Sequence, residues 1–104
     1  MKIQYKVDFD KLEWESPIEG VRHKYIDQNN LRLRLIEYSK EMAPHWCEKG
    51  HYGHLIHGQM EIEYENSKII YKPSDGIFIP DSPDHKHRGR VLSEKVLVFF
   101  IEKV

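Results

Sequence analysis

The sequence predicts an all-β protein, and three observations support that prediction. Apolar and polar residues alternate with a period of two along most of the chain, whereas helical periodicity is almost absent. Turn-forming residues recur about every 8 to 12 residues. About nine or ten short strands separated in this way are typical of a β-sandwich or β-barrel. We therefore expect one all-β domain.

The first clear strand begins after the turn at residues 29–30. Leu31, Leu33 and Leu35 alternate with two arginines. Side chains two residues apart share one face of a strand. The pattern therefore predicts a strand with its leucines toward the core and with Arg32 and Arg34 toward solvent.

The middle of the chain contains further strands and turns. Residues 60–64 alternate apolar side chains with glutamates, which predicts a second half-buried strand. The polar stretch at 65–67 predicts a hairpin turn into a strand over 68–72. Pro, Ser, Asp and Gly at 73–76 predict another turn, and the apolar run at 77–79 a short strand.

The remaining predicted elements are those after residue 80 and the segment that begins the chain. A turn at 81–84 leads into a predicted strand through His85 and His87, which would place both imidazoles on one face. The last strand, residues 96–101, is apolar on both faces, so that another sheet or a partner subunit must cover its outer side. Residues 1–20 are less regular, and we expect them to form an N-terminal edge segment.

Length and composition limit the classes of function. A chain of 104 residues with 39% hydrophobic residues can close a core without disulfides, and we expect a single domain over 1–104. The formal net charge of −1 gives no reason to expect a nucleic acid or an anionic membrane as partner. The single cysteine excludes an internal disulfide, and no apolar run is long enough to span a membrane. We expect a cytoplasmic protein.

Six of the seven histidines lie between positions 45 and 87, in two clusters. The first cluster contains His45, Cys47 and His51, and the second contains His85 and His87. Imidazole and thiolate are preferred ligands of zinc, copper, nickel and non-haem iron. If the sheet folds back so that the clusters face each other, His45, His51 and His85 make three imidazole ligands, and Cys47 is available as a fourth.

The spacing of the first cluster resembles the first sequence motif of the cupin family. In that motif a histidine–any–histidine pair is followed, after three or four residues, by a glutamate and then, after six further residues, by a glycine. His45 stands at the first histidine and Cys47 at the second. His51 stands where the glutamate would be, and Gly58 closes the motif.

The second cupin motif is present in altered form. Gly76 opens it, Pro80 lies four positions on, Ser82 replaces the glycine, and His85 falls at the histidine ligand. The resemblance covers about residues 31–101. It implies a small single-domain, RmlC-like cupin, whose fold is the double-stranded β-helix or jelly-roll barrel.

The resemblance also implies a metal site. The usual cupin ligand set is three histidines and one glutamate, and by position it carries over to His45, Cys47, His51 and His85. The cofactor would be a divalent transition metal (zinc, iron, nickel or copper), with the thiolate shifting the preference toward zinc or copper. His87 is the candidate for proton transfer to a substrate. A metal-free barrel mouth lined by hydrogen-bonded histidines stays open as the alternative.

Three function classes remain open at this point. The first is a metal-dependent enzyme acting on a small carbonyl, carboxylate or thiol compound, for which the resemblance to cupins implies a dioxygenase, isomerase or decarboxylase type. The second is a metal-free module that binds or senses a sugar-like or carboxylate molecule without catalysis, which suits the lack of an evident acid–base carboxylate beside the histidines. The third is a purely structural metal. The apolar last strand and the resemblance to small cupins together predict a homodimer.

Overall fold

The computed structural model describes residues 2–104, and strands form most of its regular structure. The nine strands are β1 (Glu15–Ile18), β2 (Val21–Gln28), β3 (Leu31–Ser39), β4 (His51–His57), β5 (Met60–Glu63), β6 (Lys68–Tyr71), β7 (Gly76–Ile79), β8 (Arg88–Val91) and β9 (Lys95–Lys103). Two 3₁₀ helices of one turn each lie at Phe9–Lys11 and Pro83–His85. Over residues 2–104, no helix has the length and apolar character needed to cross a membrane.

The strands form two antiparallel sheets. The larger sheet has the order β1-β2-β3-β9-β4-β7, and the smaller has the order β6-β5-β8. The polar turn at 65–67 joins β5 and β6 as a hairpin. The prediction of an all-β protein is therefore confirmed, and so is that hairpin.

The hydrophobic core is built from the inward faces of both sheets. Strand β9 contributes Val96 and Val98, neither of which is exposed, and β5 contributes Met60 and Ile62. The glutamates of β5 lie on the other face, where Glu61 pairs with an arginine of β8. The alternation in β5 thus has the structural meaning that the sequence predicted. The inner side of β9 lies in the core, but part of its outer side is covered by the N-terminal segment, through Phe9 and Phe99, rather than by the second sheet.

Strand β3 faces the opposite way to the prediction. Ile36 is fully buried in the core, and Arg34, two residues earlier on the same face, lines an internal cavity. Leu35 and the other leucines of the strand lie on the outer face. The N-terminal segment covers part of that face, where the ring of Phe9 meets the ring of Phe99 edge-on. The alternation of apolar and polar residues identifies the two faces of a strand. It does not tell which face points toward the core when other parts of the protein cover both.

The predicted strand through His85 and His87 is wrong in its first half. Residues Pro83–His85 form a turn of 3₁₀ helix, and the hydroxyl of Ser82 caps it by accepting a hydrogen bond from the backbone N–H of Asp84 at 3.0 Å. The fixed φ of a proline suits the first position of a helix. His85 and His87 therefore do not share a strand face.

Candidate metal centre

Residues of both sheets line a cavity of about 270 Å³. Apolar side chains such as Val21, Met60, Ile62 and Phe100 form much of its wall. Its histidine, cysteine and cationic lining residues are Arg34, His45, Cys47, Lys49, His51, His87 and Arg88. The cavity thus combines an apolar wall with a cluster of ligand-capable and cationic groups.

Three of these residues form a compact group. Cys47, His51 and His87 each offer one ligand atom, and the three atoms lie within 4.8 Å of one another. The rings of His51 and His87 meet edge-on with their centroids 5.2 Å apart. Zinc binds nitrogen and sulfur at about 2.0 to 2.3 Å, so a group of this size is compatible with one shared ion.

Backbone pairing fixes Cys47 beside His87. The N–H of Cys47 donates to the carbonyl of His87 at 2.8 Å, and the N–H of His87 donates to the carbonyl of Cys47 at 2.9 Å. His51 is the first residue of β4 and points inward with its strand partner Ile79, and its ring stacks on Phe100 at 4.5 Å. The folded sheet therefore unites the two histidine clusters.

The ring of His87 is held with one nitrogen free. Only 5% of the residue is exposed, and Nδ1 lies 3.0 Å from the backbone carbonyl of His85, to which it donates. Burial, the largest influence, lowers the pKa of His87 below its ordinary value, so that the ring is neutral near pH 7. Nε2 then carries a lone pair, and this buried atom has no hydrogen-bond partner among residues 2–104.

The ring of His51 is oriented by a buried ion pair. Nδ1 of His51 lies 2.5 Å from Oε2 of Glu102, a carboxylate with no solvent exposure. Nη1 of Arg34 donates to both oxygens of the same carboxylate, at 3.2 and 3.3 Å. Burial alone would raise the pKa of Glu102, but the hydrogen bond from His51 and the charge of Arg34 outweigh it and hold the pKa below its ordinary value.

The thiol of Cys47 is activated by the same chain of contacts. A hydrogen bond with His51 is the main reason that the pKa of Cys47 lies below its ordinary value. Burial alone would lower the pKa of His51, but its hydrogen bonds with Cys47 and Glu102 outweigh that effect and raise the pKa. The contact between Cys47 and His51 therefore favours the thiolate form of the first and the protonated form of the second.

The structure brings together only part of the ligand set that the sequence predicted. Cys47 and His51 lie in the compact group. His45 lines the cavity outside that group, is exposed, and donates from Nδ1 to the carbonyl of Ala43 at 3.3 Å. His85 is exposed on its 3₁₀ turn and does not line the cavity. His87, expected to be a proton donor, takes the place beside Cys47 and His51.

Sequence reasoning missed Glu102 and Arg34. It found no carboxylate beside the histidines, yet Glu102 contacts His51 directly. One signal could have found it, because Glu102 follows Val96, Val98 and Phe100 at the same period-two spacing, on the core-facing side of β9. No comparable signal exists for Arg34, since its face was assigned to solvent.

Comparisons with known proteins agree on the fold. No protein-family model matches the chain, and no curated protein sequence matches it. Among solved structures, KdgF from Halomonas sp. is 22% identical with a TM-score of 0.70, over 90% of this chain and 89% of that one. An RmlC-like cupin from Shewanella frigidimarina is 13% identical with a TM-score of 0.75, over 97% and 91% of the two chains.

A regulatory protein also contains this fold. An HTH_3 family transcriptional regulator from Vibrio cholerae is 13% identical with a TM-score of 0.66, over 82% of this chain and 51% of that one, so the chain spans about half of the regulator. The two antiparallel sheets, the internal cavity and these likenesses confirm the predicted fold. The chain has the double-stranded β-helix, or jelly-roll, fold of the cupins.

Proposed function

We propose that this chain is a metal-binding cupin-fold protein in which Cys47, His51 and His87 hold one divalent transition metal and the adjoining cavity takes a small molecule. The observation that carries the proposal is the buried, unpartnered Nε2 of His87, which lies beside the other two ligand atoms. A buried polar atom without a partner costs about 1 to 3 kcal/mol, and a metal ion would remove that cost.

The donor set fits a metal of the zinc type. Histidine ligands commonly donate their second N–H to a carbonyl or carboxylate, which fixes the tautomer that presents a lone pair to the metal. His87 donates to a carbonyl, and His51 donates to Glu102. One thiolate with two imidazoles suits zinc or copper better than manganese or magnesium. Zinc is therefore the metal that we expect first, with copper, nickel and iron as the other candidates.

Three protein ligands favour a functional site over a purely structural one. Structural zinc sites close the shell with four protein ligands, whereas catalytic sites keep one position for water or substrate. Among residues 2–104, the compact group contains three ligand-capable residues, and His45 stands outside it. The cavity lies directly beside the group, so a small molecule could reach the remaining position.

A metal bound here would supply a Lewis acid, or a bound water of lowered pKa. Glu102 keeps the proton on Nδ1 of His51, so that the lone pair of that ring stays on Nε2. Arg34 holds Glu102 in place from the opposite side. His87 has only Nε2 free and cannot be both a ligand and the proton donor. His45 is the lining imidazole that lies outside the group, and it is the candidate for proton transfer.

The second candidate is a binding or sensing module without turnover. No aspartate or glutamate is among the cavity-lining residues of the described chain, so a carboxylate that could serve as general acid or base is lacking there. The presence of this fold in a transcriptional regulator also supports a binding or sensing role. In this case the cavity would bind its ligand, with or without a metal, and release it unchanged.

Metal content tests the first proposal. The protein, purified without a metal-affinity tag, should contain about one zinc or other transition metal per chain, and the Cys47→Ser variant should lose most of it. Cobalt(II) added to the apoprotein should give the charge-transfer band of a thiolate–cobalt bond, absent in Cys47→Ser. Protein that stays metal-free after zinc is added in excess would leave the binding module as the better account.

A further inference from the structure

We infer that the cavity takes a small organic monoanion: a carboxylate attached to a short apolar body. This inference deepens the proposed function and rests on the same cavity. It selects the carboxylate from the sugar-like and carboxylate molecules that the sequence left open. The charges and the shape of the cavity wall favour this ligand whether or not a metal is bound.

Three lysine and arginine residues line the cavity. They are Arg34, Lys49 and Arg88, and the described lining includes no aspartate or glutamate. The whole chain has a formal net charge of −1, so this local excess of positive charge does not reflect a basic composition. A cavity lined by one sign of charge, with low-dielectric walls, attracts ligands of the opposite sign.

The partners of the three cations leave about one positive charge uncompensated. Arg34 is offset by Glu102. Arg88 is offset by Glu63, with Nε and Oε1 2.8 Å apart, and this pair lies on the face of the smaller sheet that points away from the core. Lys49 differs, because its Nζ donates to the backbone carbonyl of Lys103 at 2.7 Å, and the ion pairs of residues 2–104 include none for it.

The size of this charge excess distinguishes between anions. A carboxylate carries one negative charge at neutral pH and so matches one uncompensated lysine. An organic phosphate carries about −1.5 to −2 and would exceed it. A neutral sugar would leave the ammonium of Lys49 without a counter-charge. A metal bound by one thiolate and two neutral imidazoles would add a further positive charge and strengthen the preference.

The apolar wall and the volume of the cavity indicate the size and character of the part of the ligand that carries the carboxylate. Val21, Met60, Ile62 and Phe100 offer an apolar surface rather than the ring of polar groups that a sugar needs. The volume of about 270 Å³ lies just below the range of roughly 300 to 1,000 Å³ that is common for drug-sized ligands. A branched aliphatic chain or a single ring of this size would fill the space.

The test compares carboxylates with amides of the same shape. Propionate, isovalerate and benzoate would be titrated into the full chain, each beside its primary amide, with binding followed by NMR. We expect each carboxylate that binds to have an affinity about tenfold or more above that of its amide. The reason is that a charge-assisted hydrogen bond is worth about 1.5 to 3 kcal/mol. That difference should shrink as salt is added.

Variants of the cations test where the preference arises. Lys49→Gln should remove most of it, whereas Arg88→Gln should change it little, because the guanidinium of Arg88 is paired with Glu63 on the outer face of the smaller sheet. Arg90→Gln is the matched control, because Arg90 lies two residues from Arg88, pairs with Glu61, and does not line the cavity. If no carboxylate binds better than its amide, whether both bind equally or neither binds, the inference is overturned. It is also overturned if Lys49→Gln keeps the full preference.

The failure of this inference can be told apart from failure of the metal proposal. Each titration would be run on apoprotein and on zinc-treated protein, with zinc measured in the same samples. A carboxylate preference in protein that binds no zinc would support the inference and count against the metal site. Bound zinc without any carboxylate preference would support the metal site and overturn the inference.

Discussion

Nδ1 of His51 donates to the carboxylate of Glu102 across 2.5 Å, at a depth where Glu102 has no contact with solvent. Arg34 contacts both oxygens of the same carboxylate from the neighbouring strand. A buried carboxylate held by both His51 and Arg34 orients the imidazole, and it also makes the site sensitive to the loss of any one partner. The first two expectations follow from this arrangement.

Replacing Glu102 by glutamine should strongly destabilise the fold. The amide leaves Arg34 without its counter-charge, and breaking a buried ion pair costs about 3 to 5 kcal/mol in the free energy of unfolding. Urea denaturation of the apoprotein measures the change. Glu61→Gln is the control, because its partner Arg90 is largely exposed and such surface pairs contribute about 0 to 1 kcal/mol. Equal losses in the two variants would contradict the role assigned to Glu102.

Acid should weaken the fold partly through Glu102. Its pKa lies below the value of 4.5 that is ordinary for a glutamate, so the ionised carboxylate stabilises the native state above that pH. This contribution is lost as the pH falls through the depressed pKa of the folded state. Urea unfolding between pH 7 and pH 3 should therefore show a steeper decline for the native sequence than for Glu102→Gln. Parallel declines would mean that Glu102 titrates normally.

Alkylation of the apoprotein should report the lowered pKa of Cys47. Iodoacetamide reacts with the thiolate, so the rate rises with pH through the thiol pKa. We expect its midpoint below the ordinary value of 9.0 and a shift upward in His51→Gln. Added zinc should protect Cys47 from alkylation. A normal midpoint in the native sequence, unchanged by His51→Gln, would show that the two residues are not coupled.

The outer face of the larger sheet should mediate a homodimer. Phe78 is 77% exposed and its ring packs edge-on against Tyr52 at 4.9 Å, on the face to which Ile101 also belongs. We propose that a second copy covers this apolar patch. Sedimentation should give a dimer that Phe78→Ser dissociates. The control is Ile70→Ser, an exposed apolar residue of the smaller sheet. A monomer at all concentrations would contradict this proposal.

The sequence predicted the elements better than their orientation. Strand β5 and its hairpin were found because alternation and turn residues are local signals, and β9 was found because it is apolar on both faces. The orientation of β3 was wrong because the N-terminal segment covers the leucine face, and only the tertiary structure decides that. Glu102 was missed because a polar residue at the end of an apolar run resembles a strand terminus.

The site was predicted in part for a related reason. Spacing alone identified Cys47 and His51, whose positions depend on one turn and one strand. It selected His85 over His87, because the altered second motif was read in the register of the cupin pattern. The proline-initiated turn at Pro83–His85 changes that register, and the backbone pairing with Cys47 brings His87 inward.

The zinc affinity of His87→Gln and His85→Gln, measured side by side by chelator competition, tests the central claim most directly. The two residues are two positions apart, and His85 contributes only its backbone carbonyl to the site, which the substitution retains. We expect His87→Gln to weaken zinc binding at least about tenfold, and His85→Gln to bind like the native protein. Loss of zinc in His85→Gln with retention in His87→Gln would contradict the account and restore the ligand set implied by the sequence motif.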